Sequence, residues 1–156
     1  MKALVTYFSA SGITAALAQR LADALQTPLY EIKPAVPYTA ADLDWRNQQS
    51  RSTLEMLDKS CRPALADKNA PVADADVVFV GYPVWWYREP SIVDSFLEAY
   101  DFSGKKVVLF ATSGSSDIGP EAPARAAEIT HAAVPAAKRF PADASAKELK
   151  AWAEGI

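Results

Sequence analysis

Residues 3–25 constrain the fold more than any other stretch. The apolar run Ala3-Leu4-Val5, continuing to Phe8, reads as a buried strand. It empties into the small loop Ser9-Ala10-Ser11-Gly12, and then Ile13, Leu17, Leu21 and Leu25 recur every fourth position, one stripe of a helix. This strand-to-helix junction gathers backbone N–H groups and the hydroxyls of Ser9, Ser11 and Thr14 around the positive end of a helix. That is a cradle for a phosphate dianion. The loop holds no lysine or arginine, so it must act through hydrogen bonds and backbone dipoles.

The same alternation continues down the chain. Thr27-Pro28 ends the first helix, and Leu29 to Lys33 suits an edge strand. Residues 34–71 form a long excursion. A short helix start is expected at Thr39-Ala40-Ala41-Asp42 and a second helix within Ser50 to Lys59, the whole packed by Trp45, Leu54 and Leu57. Val77-Val78-Phe79-Val80-Gly81-Tyr82 is a buried strand. It is followed by the aromatic loop from Pro83 to Glu89 and an amphipathic helix opened by Pro90. Lys106 to Ala111 is the next strand, and a second small polar loop, residues 112–119, leads into an alanine-rich helix to about Thr130. A last strand is expected within Ala132 to Phe140. Ser145 with Glu148 then forms a capping box for a final helix with Leu149, Trp152 and Ile156 on its core face. Alternating strands and helices give an α/β chain whose parallel sheet is covered on both sides, with right-handed connections.

Composition sets the class of partner. The chain has 156 residues, half of them hydrophobic, which fits one domain over 1–156 with a sizeable core. A net charge of -3 argues against nucleic acid. The single Cys61, read as a small buried residue, forms no internal disulfide, and no Cys/His cluster marks a metal site. No run approaches the roughly 20 apolar residues of a membrane span, and the opening strand is shorter than a signal segment, so a cytoplasmic location is expected. His131 falls near a helix end, and Arg51 and Arg62 read as solvated or paired.

In an open parallel sheet, ligands bind beyond the carboxyl ends of the strands, where strand order reverses. The unusual loops follow the first, third and fourth core strands, so all three share that edge. One is hydroxyl-rich, one aromatic and one small and polar. Together they offer a phosphate socket, flat apolar walls and backbone partners for a polar heterocycle. Residues 5–14 (VTYFSASGIT), 82–87 (YPVWWY) and 110–115 (FATSGS) resemble the three flavin mononucleotide loops of short-chain flavodoxin-like proteins. Residues 42–45, 50–52 and 62–63 resemble one bacterial subfamily of that group.

The resemblance implies a three-layer sandwich with a five-stranded parallel sheet in the order 2-1-3-4-5, helices on both faces, and FMN at the switch between the first and third strands. Carried over by position, Ser9, Ala10, Ser11, Gly12, Ile13 and Thr14 hold the phosphate. Pro83, Val84, Trp85, Trp86 and Tyr87 wrap the isoalloxazine. Thr112, Ser113, Gly114 and Ser115, with Ile118 and Gly119, line its polar edge. One position departs: the family has asparagine where this chain has Ile13, which keeps the backbone N–H and loses an amide side chain. No side chain is needed as an acid or base, because the flavin carries the chemistry. The implied function is electron transfer through a non-covalent flavin, with redox proteins as partners. The alternative is an NAD(P)H-dependent FMN oxidoreductase acting on quinones or similar small acceptors. Both a monomer and a homodimer fit the sequence.

Overall fold

The computed structural model describes residues 2–114 and 116–156. Its order is β1 (Ala3–Tyr7), α1 (Ile13–Leu25), β2 (Leu29–Glu31), α2 (Arg51–Leu57), a 3-10 turn (Val72–Asp74), β3 (Val77–Pro83), α3 (Ser91–Ala99), β4 (Lys106–Thr112), α4 (Glu121–Thr130), β5 (Ala133–Phe140) and α5 (Ala146–Glu154). The five strands form one parallel sheet in the order β2-β1-β3-β4-β5. This is the expected order, with the reversal between β1 and β3. No helix among the described residues is long and apolar enough to cross a membrane.

Two cores follow from the period-two geometry of the strands. Along β3, Val78, Val80 and Tyr82 face one side with Ile92 and Phe96 of α3 and Ala122 of α4. Val77 and Phe79 face the other with Leu17 and Leu21 of α1 and Leu149 of α5. Trp152 packs edge-on against Phe79 and Phe140, as its position in the pattern implied. Gly81 is the one break in the apolar run of β3, and its cause is across the ladder. It pairs with Phe110, whose ring would lie 2.2 Å from a Cβ placed on Gly81.

The sheet edges are irregular. Immediately beyond the three-residue β2, the chain pairs antiparallel with residues 64–66: Ala35 N–H donates to the Ala64 carbonyl at 2.8 Å and Ala66 N–H to the Lys33 carbonyl at 2.8 Å. On the other side, β5 holds Pro135 and slips register against β4 between Lys106 and Val108, a bulge that takes up one extra residue.

The excursion departs from expectation. Thr39 to Asp42 closes a side-chain-capped turn, not an α-helix: Thr39 N–H donates to Asp42 Oδ2 (2.9 Å) and Asp42 N–H to Thr39 Oγ1 (3.1 Å). Helix α2 turns Ser52, Thr53 and Met56 inward, whereas Leu54, Leu57 and Trp45 are exposed. The inward face packs on the aromatic loop region, where Arg88 Nη1 donates to the Met56 carbonyl at 3.3 Å and Ser91 Oγ to that of Glu55 at 3.3 Å. Polar groups therefore hold this segment, and its leucines are left for solvent. Cys61 is half-buried, and burial raises its thiol pKa.

Gly81→Ala is expected to lower unfolding free energy by about 1–3 kcal/mol, the range for overpacking a full core. Chemical denaturation of the two proteins checks this, and an unchanged midpoint would show that Phe110 yields freely.

Candidate functional site

The first loop is built by Gly12. It occupies the left-handed region (φ 91°) at the N-cap of α1, and its N–H donates to Ser9 Oγ at 3.0 Å. No side chain caps α1 and no acid lies in its first turn, whereas Ser50 and Ser145 cap α2 and α5. The amides of Ile13, Thr14 and Ala15 precede the first helical hydrogen bond, from Ala16 N–H to the Gly12 carbonyl, and remain open to an anion. Thr14 does other work. Its buried hydroxyl shares a 2.8 Å hydrogen bond with that of Thr112, joining the first loop to the third. Ile13 is about half exposed (48%) and points to the same opening as Ser11.

The second loop is a two-residue reversal. Trp85 and Arg88 exchange both backbone hydrogen bonds at 3.0 Å, and the residues between them, Trp86 (φ 47°) and Tyr87 (φ 63°), are left-handed. Turns of this kind favour Asn-Gly, because a bulky side chain strains the backbone there. The strain is held by what lies below. Arg88 and Glu89 are buried, with Arg125 forking onto both oxygens of Glu89 and Arg88 Nη2 lying 3.3 Å from Asp94 Oδ2. From above, Gly119 (φ 83°) brings its backbone so close to the Tyr87 carbonyl that a Cβ would sit 2.8 Å from the oxygen. Trp85 is fixed edge-on against Phe8 and Tyr38, with ring centroids 5.6 Å apart in each pair. Trp86 and Tyr87 are exposed.

The third loop is tied down by a residue from the end of β5. Arg139 Nε donates to Ser113 Oγ (3.1 Å), and Nη2 donates to the carbonyls of Ser113 and Gly114 (2.9 Å each). Ser113 Oγ in turn donates to the Ser116 carbonyl. Ser11, Ile13, Trp85, Thr112 and Arg139 line a recess of about 450 Å³, within the roughly 300–1,000 Å³ usual for cofactor sites. A neighbouring cleft of about 530 Å³ shares the Val84 and Trp85 wall and runs toward Trp45, Trp86 and Tyr87. A further recess of about 390 Å³, between Leu25, Pro28 and Asp74, lies at the amino edge, where no loop follows a strand end.

The strand order β2-β1-β3-β4-β5 is that of a known family. The sequence profile of the flavodoxins matches residues 2–156. The chain belongs to the flavodoxin family. Solved structures of candidate flavoproteins from Bacteroides eggerthii and Bacteroides uniformis are each 42% identical to it. The first has a TM-score of 0.91 over 99% of this chain and 97% of the other. The second has a TM-score of 0.90 over 98% and 97%. A Lactobacillus acidophilus flavoprotein, solved in complex with FMN, is 20% identical with a TM-score of 0.72 over 97% of this chain and 98% of its own. No curated protein matches the sequence significantly.

Among the residues expected to bind cofactor, the fold brings Ser11, Ile13, Pro83, Val84, Trp85, Thr112, Ser113 and Gly114 to one recess. Trp86 and Tyr87 line the adjoining cleft. Ser9 and Ala10 instead line a separate recess together with Pro37 and Tyr38. Thr14 is spent on Thr112, the Ile118 side chain is buried in the core, and Gly119 supports the turn through its backbone. Ser115 lies outside the described residues. Arg139 was not foreseen. The loops themselves carry no cation but Arg88, which is buried, and the guanidinium that reaches the recess comes from a strand end 25 residues beyond Gly114. Its one sequence signal was its place at the carboxyl end of a strand. Arg51 and Arg62 are paired, with Glu55 at 3.1 Å and Glu98 at 2.8 Å.

The buried charges under the turn titrate unevenly. Burial opposes ionisation of Glu89, but the Arg125 fork outweighs it and holds this carboxyl below its usual range. Asp94 has only the long 3.3 Å contact with Arg88, against about 2.7–2.9 Å for a strong charge-assisted bond. Burial, then the Glu89 charge, push it up from its ordinary 3.8 to about 8. The folded protein thus keeps a proton on Asp94 across a range where the unfolded chain has lost it. Its stabilising contribution is complete below about pH 4 and is lost as pH rises to about 8. Wild type should therefore lose unfolding free energy relative to Asp94→Asn from pH 5 to 8, and the change should level off above. A difference that stays flat across that range would show Asp94 to be ionised in the fold.

Replacing Trp86-Tyr87 by Asn-Gly is expected to stabilise the protein by about 1–2 kcal/mol, since the turn then suits its residues. Thermal and denaturant unfolding read this directly, and destabilisation would mean that the two rings pack better than their exposure implies.

Proposed function

We propose that this protein binds FMN without a covalent bond and transfers electrons through it. One observation carries the reading. An uncapped helix start opens into a cofactor-sized recess whose other walls are an immobilised indole and a small polar loop. The donors suit the group. The amides of Ile13 and Thr14, with the Ser11 hydroxyl, offer neutral hydrogen bonds to a phosphate. Arg139 adds a positive charge at the rim that the first loop lacks. Trp85, locked by Phe8 and Tyr38, gives a planar ring a wall that cannot turn away. The third loop, which borders the recess, is held in place by Arg139 through the Ser113 and Gly114 carbonyls. FMN bound there supplies one- and two-electron chemistry, and the chain's own residues bind, orient and exclude water. The FMN complex of the Lactobacillus acidophilus relative supports the same assignment.

Two uses of such a site are open to it: a carrier that docks on redox proteins, and an NAD(P)H-dependent oxidoreductase for quinones or similar acceptors. Carriers dock through strongly charged faces, and a net charge of -3 supplies little of that. The exposed cleft beside the recess favours the oxidoreductase.

Titration of the purified apoprotein should quench FMN fluorescence and shift the flavin spectrum at micromolar concentrations. Riboflavin, lacking the phosphate, should bind about tenfold or more weakly. Absence of quenching would remove FMN from the reading. With FMN bound, sustained NADPH consumption in the presence of a quinone marks the oxidoreductase, and none marks the carrier.

A further inference from the structure

We infer that Asp94 is a positioning residue for the aromatic turn: as the neutral partner of Glu89 its carboxyl latches the turn closed, and on ionising it releases the turn. The latch stands on the geometry of the buried charges. Only its effect on a ligand rests on the FMN reading.

Asp94 lies in the first turn of α3 and is 1% exposed. Charged or titratable groups face it from the elements around it. Tyr82 comes from β3, Arg88 and Glu89 from the chain just after the turn, Arg125 from α4 and Arg62 from the excursion. Most of the cations are committed elsewhere. Arg125 forks onto Glu89 and also meets Glu121 at 3.7 Å, and Arg62 pairs with Glu98 at 2.8 Å. Arg88 sends Nη1 to the Met56 carbonyl of α2 and leaves Nε without a partner among the described residues, and its Nη2 stays 3.3 Å from Asp94 Oδ2. Asp94 Oδ1 is buried and receives no donor. A bare carboxylate oxygen is costly in such a place.

A proton resolves the cluster. The carboxyls of Asp94 and Glu89 are hydrogen-bonded to each other, a contact that needs one proton between them. Placed on Asp94 Oδ1, that proton turns an unpartnered acceptor into a donor to Glu89. Glu89 then carries the one charge of the pair, and Arg125 neutralises it.

The turn depends on this arrangement because of where Glu89 sits. It adjoins Arg88, and Arg88 closes the turn by exchanging two backbone bonds with Trp85 at 3.0 Å. Trp86 and Tyr87, between them, hold left-handed conformations that work against closure. If Asp94 ionises, two carboxylates lie side by side out of water and repel. Water relieves them most readily through the strained turn above. The sign follows from linkage. The closed turn keeps the proton up to about pH 8, whereas an opened, hydrated Asp94 loses it near its ordinary 3.8. Opening therefore grows more favourable as pH rises through that window and levels off above it. Trp85 is also a wall of the FMN recess, so a ligand held there is expected to bind more weakly over the same window.

Amide exchange of the apoprotein, followed by NMR, tests the latch at the Trp85 and Arg88 N–H groups. Rates are expressed as protection factors, which divides out base catalysis. Wild-type protection should fall about tenfold or more from pH 6 to 8 and then level, since one linked proton gives up to about tenfold per pH unit. It should lie below that of Leu21 in α1 at every pH, which marks a local opening. Asp94→Asn keeps an uncharged donor beside Glu89 and should hold its protection within about twofold across the range. Should that variant not fold, Glu89→Gln removes the charge that retains the proton, and the levelling point should move below pH 8. Protection that is flat in wild type, that falls equally in Asp94→Asn, or that matches Leu21 overturns the inference. In fluorescence titrations, the FMN Kd of wild type relative to Asp94→Asn should rise about tenfold from pH 6 to 8. A ratio that stays constant while the protections diverge overturns the coupling to the ligand. Absence of FMN binding at every pH would remove the cofactor reading, and the exchange data alone would then uphold or overturn the latch.

Discussion

The structure depends on one demand, that its central strands be dry on both faces. Every residue of β3 except the last is buried, and β4 is buried from Val107 onward. Strands of this kind cannot be joined by hairpins with one face in water, so each needs a helical crossover and a parallel neighbour. Parallel pairing then sends the chain out of every strand at the same edge. The hydroxyl loop, the aromatic turn and the serine loop meet there because the hydrophobic effect has already fixed the direction of the strands. The dipole of α1, which begins at that edge, is aimed by the same constraint.

What the sequence revealed follows from this. Runs such as Val77-Val78-Phe79-Val80 and the four-residue stripe Ile13, Leu17, Leu21, Leu25 carry their structure locally, and the sheet, its helices and its three loops were legible from them. The excursion was not. Leu54 and Leu57 have helical spacing, but a seven-residue helix is oriented by what it touches, and α2 touches Arg88 and Ser91 through backbone carbonyls. Trp45 reads as core by composition alone, yet it stands exposed just beyond a turn that side chains close. Arg139 was hidden for a different reason. A guanidinium that holds a loop 25 residues away leaves no mark in the spacing of either segment.

The aromatic turn is where local preference and tertiary context disagree. Its two central residues are poorly suited to their backbone, and beneath it lie charges that water would solvate better. The fold resolves this with geometry: a two-pronged arginine on Glu89, a retained proton on Asp94, and a glycine pressed on the Tyr87 carbonyl. All three lie close in sequence or in space to the turn that carries the two exposed rings. Rigidity at this place has no role in the cores, which are complete without Trp86 and Tyr87.

The irregular borders of the sheet bear on how copies of the molecule meet. One border is a three-residue strand whose continuation turns to an antiparallel partner within the same chain. The other is interrupted by a proline and a register slip. Neither presents a long ladder of free amides and carbonyls for an incoming strand. Growth of the sheet from molecule to molecule is thereby disfavoured at both ends, because an incoming strand would find few consecutive backbone groups in register.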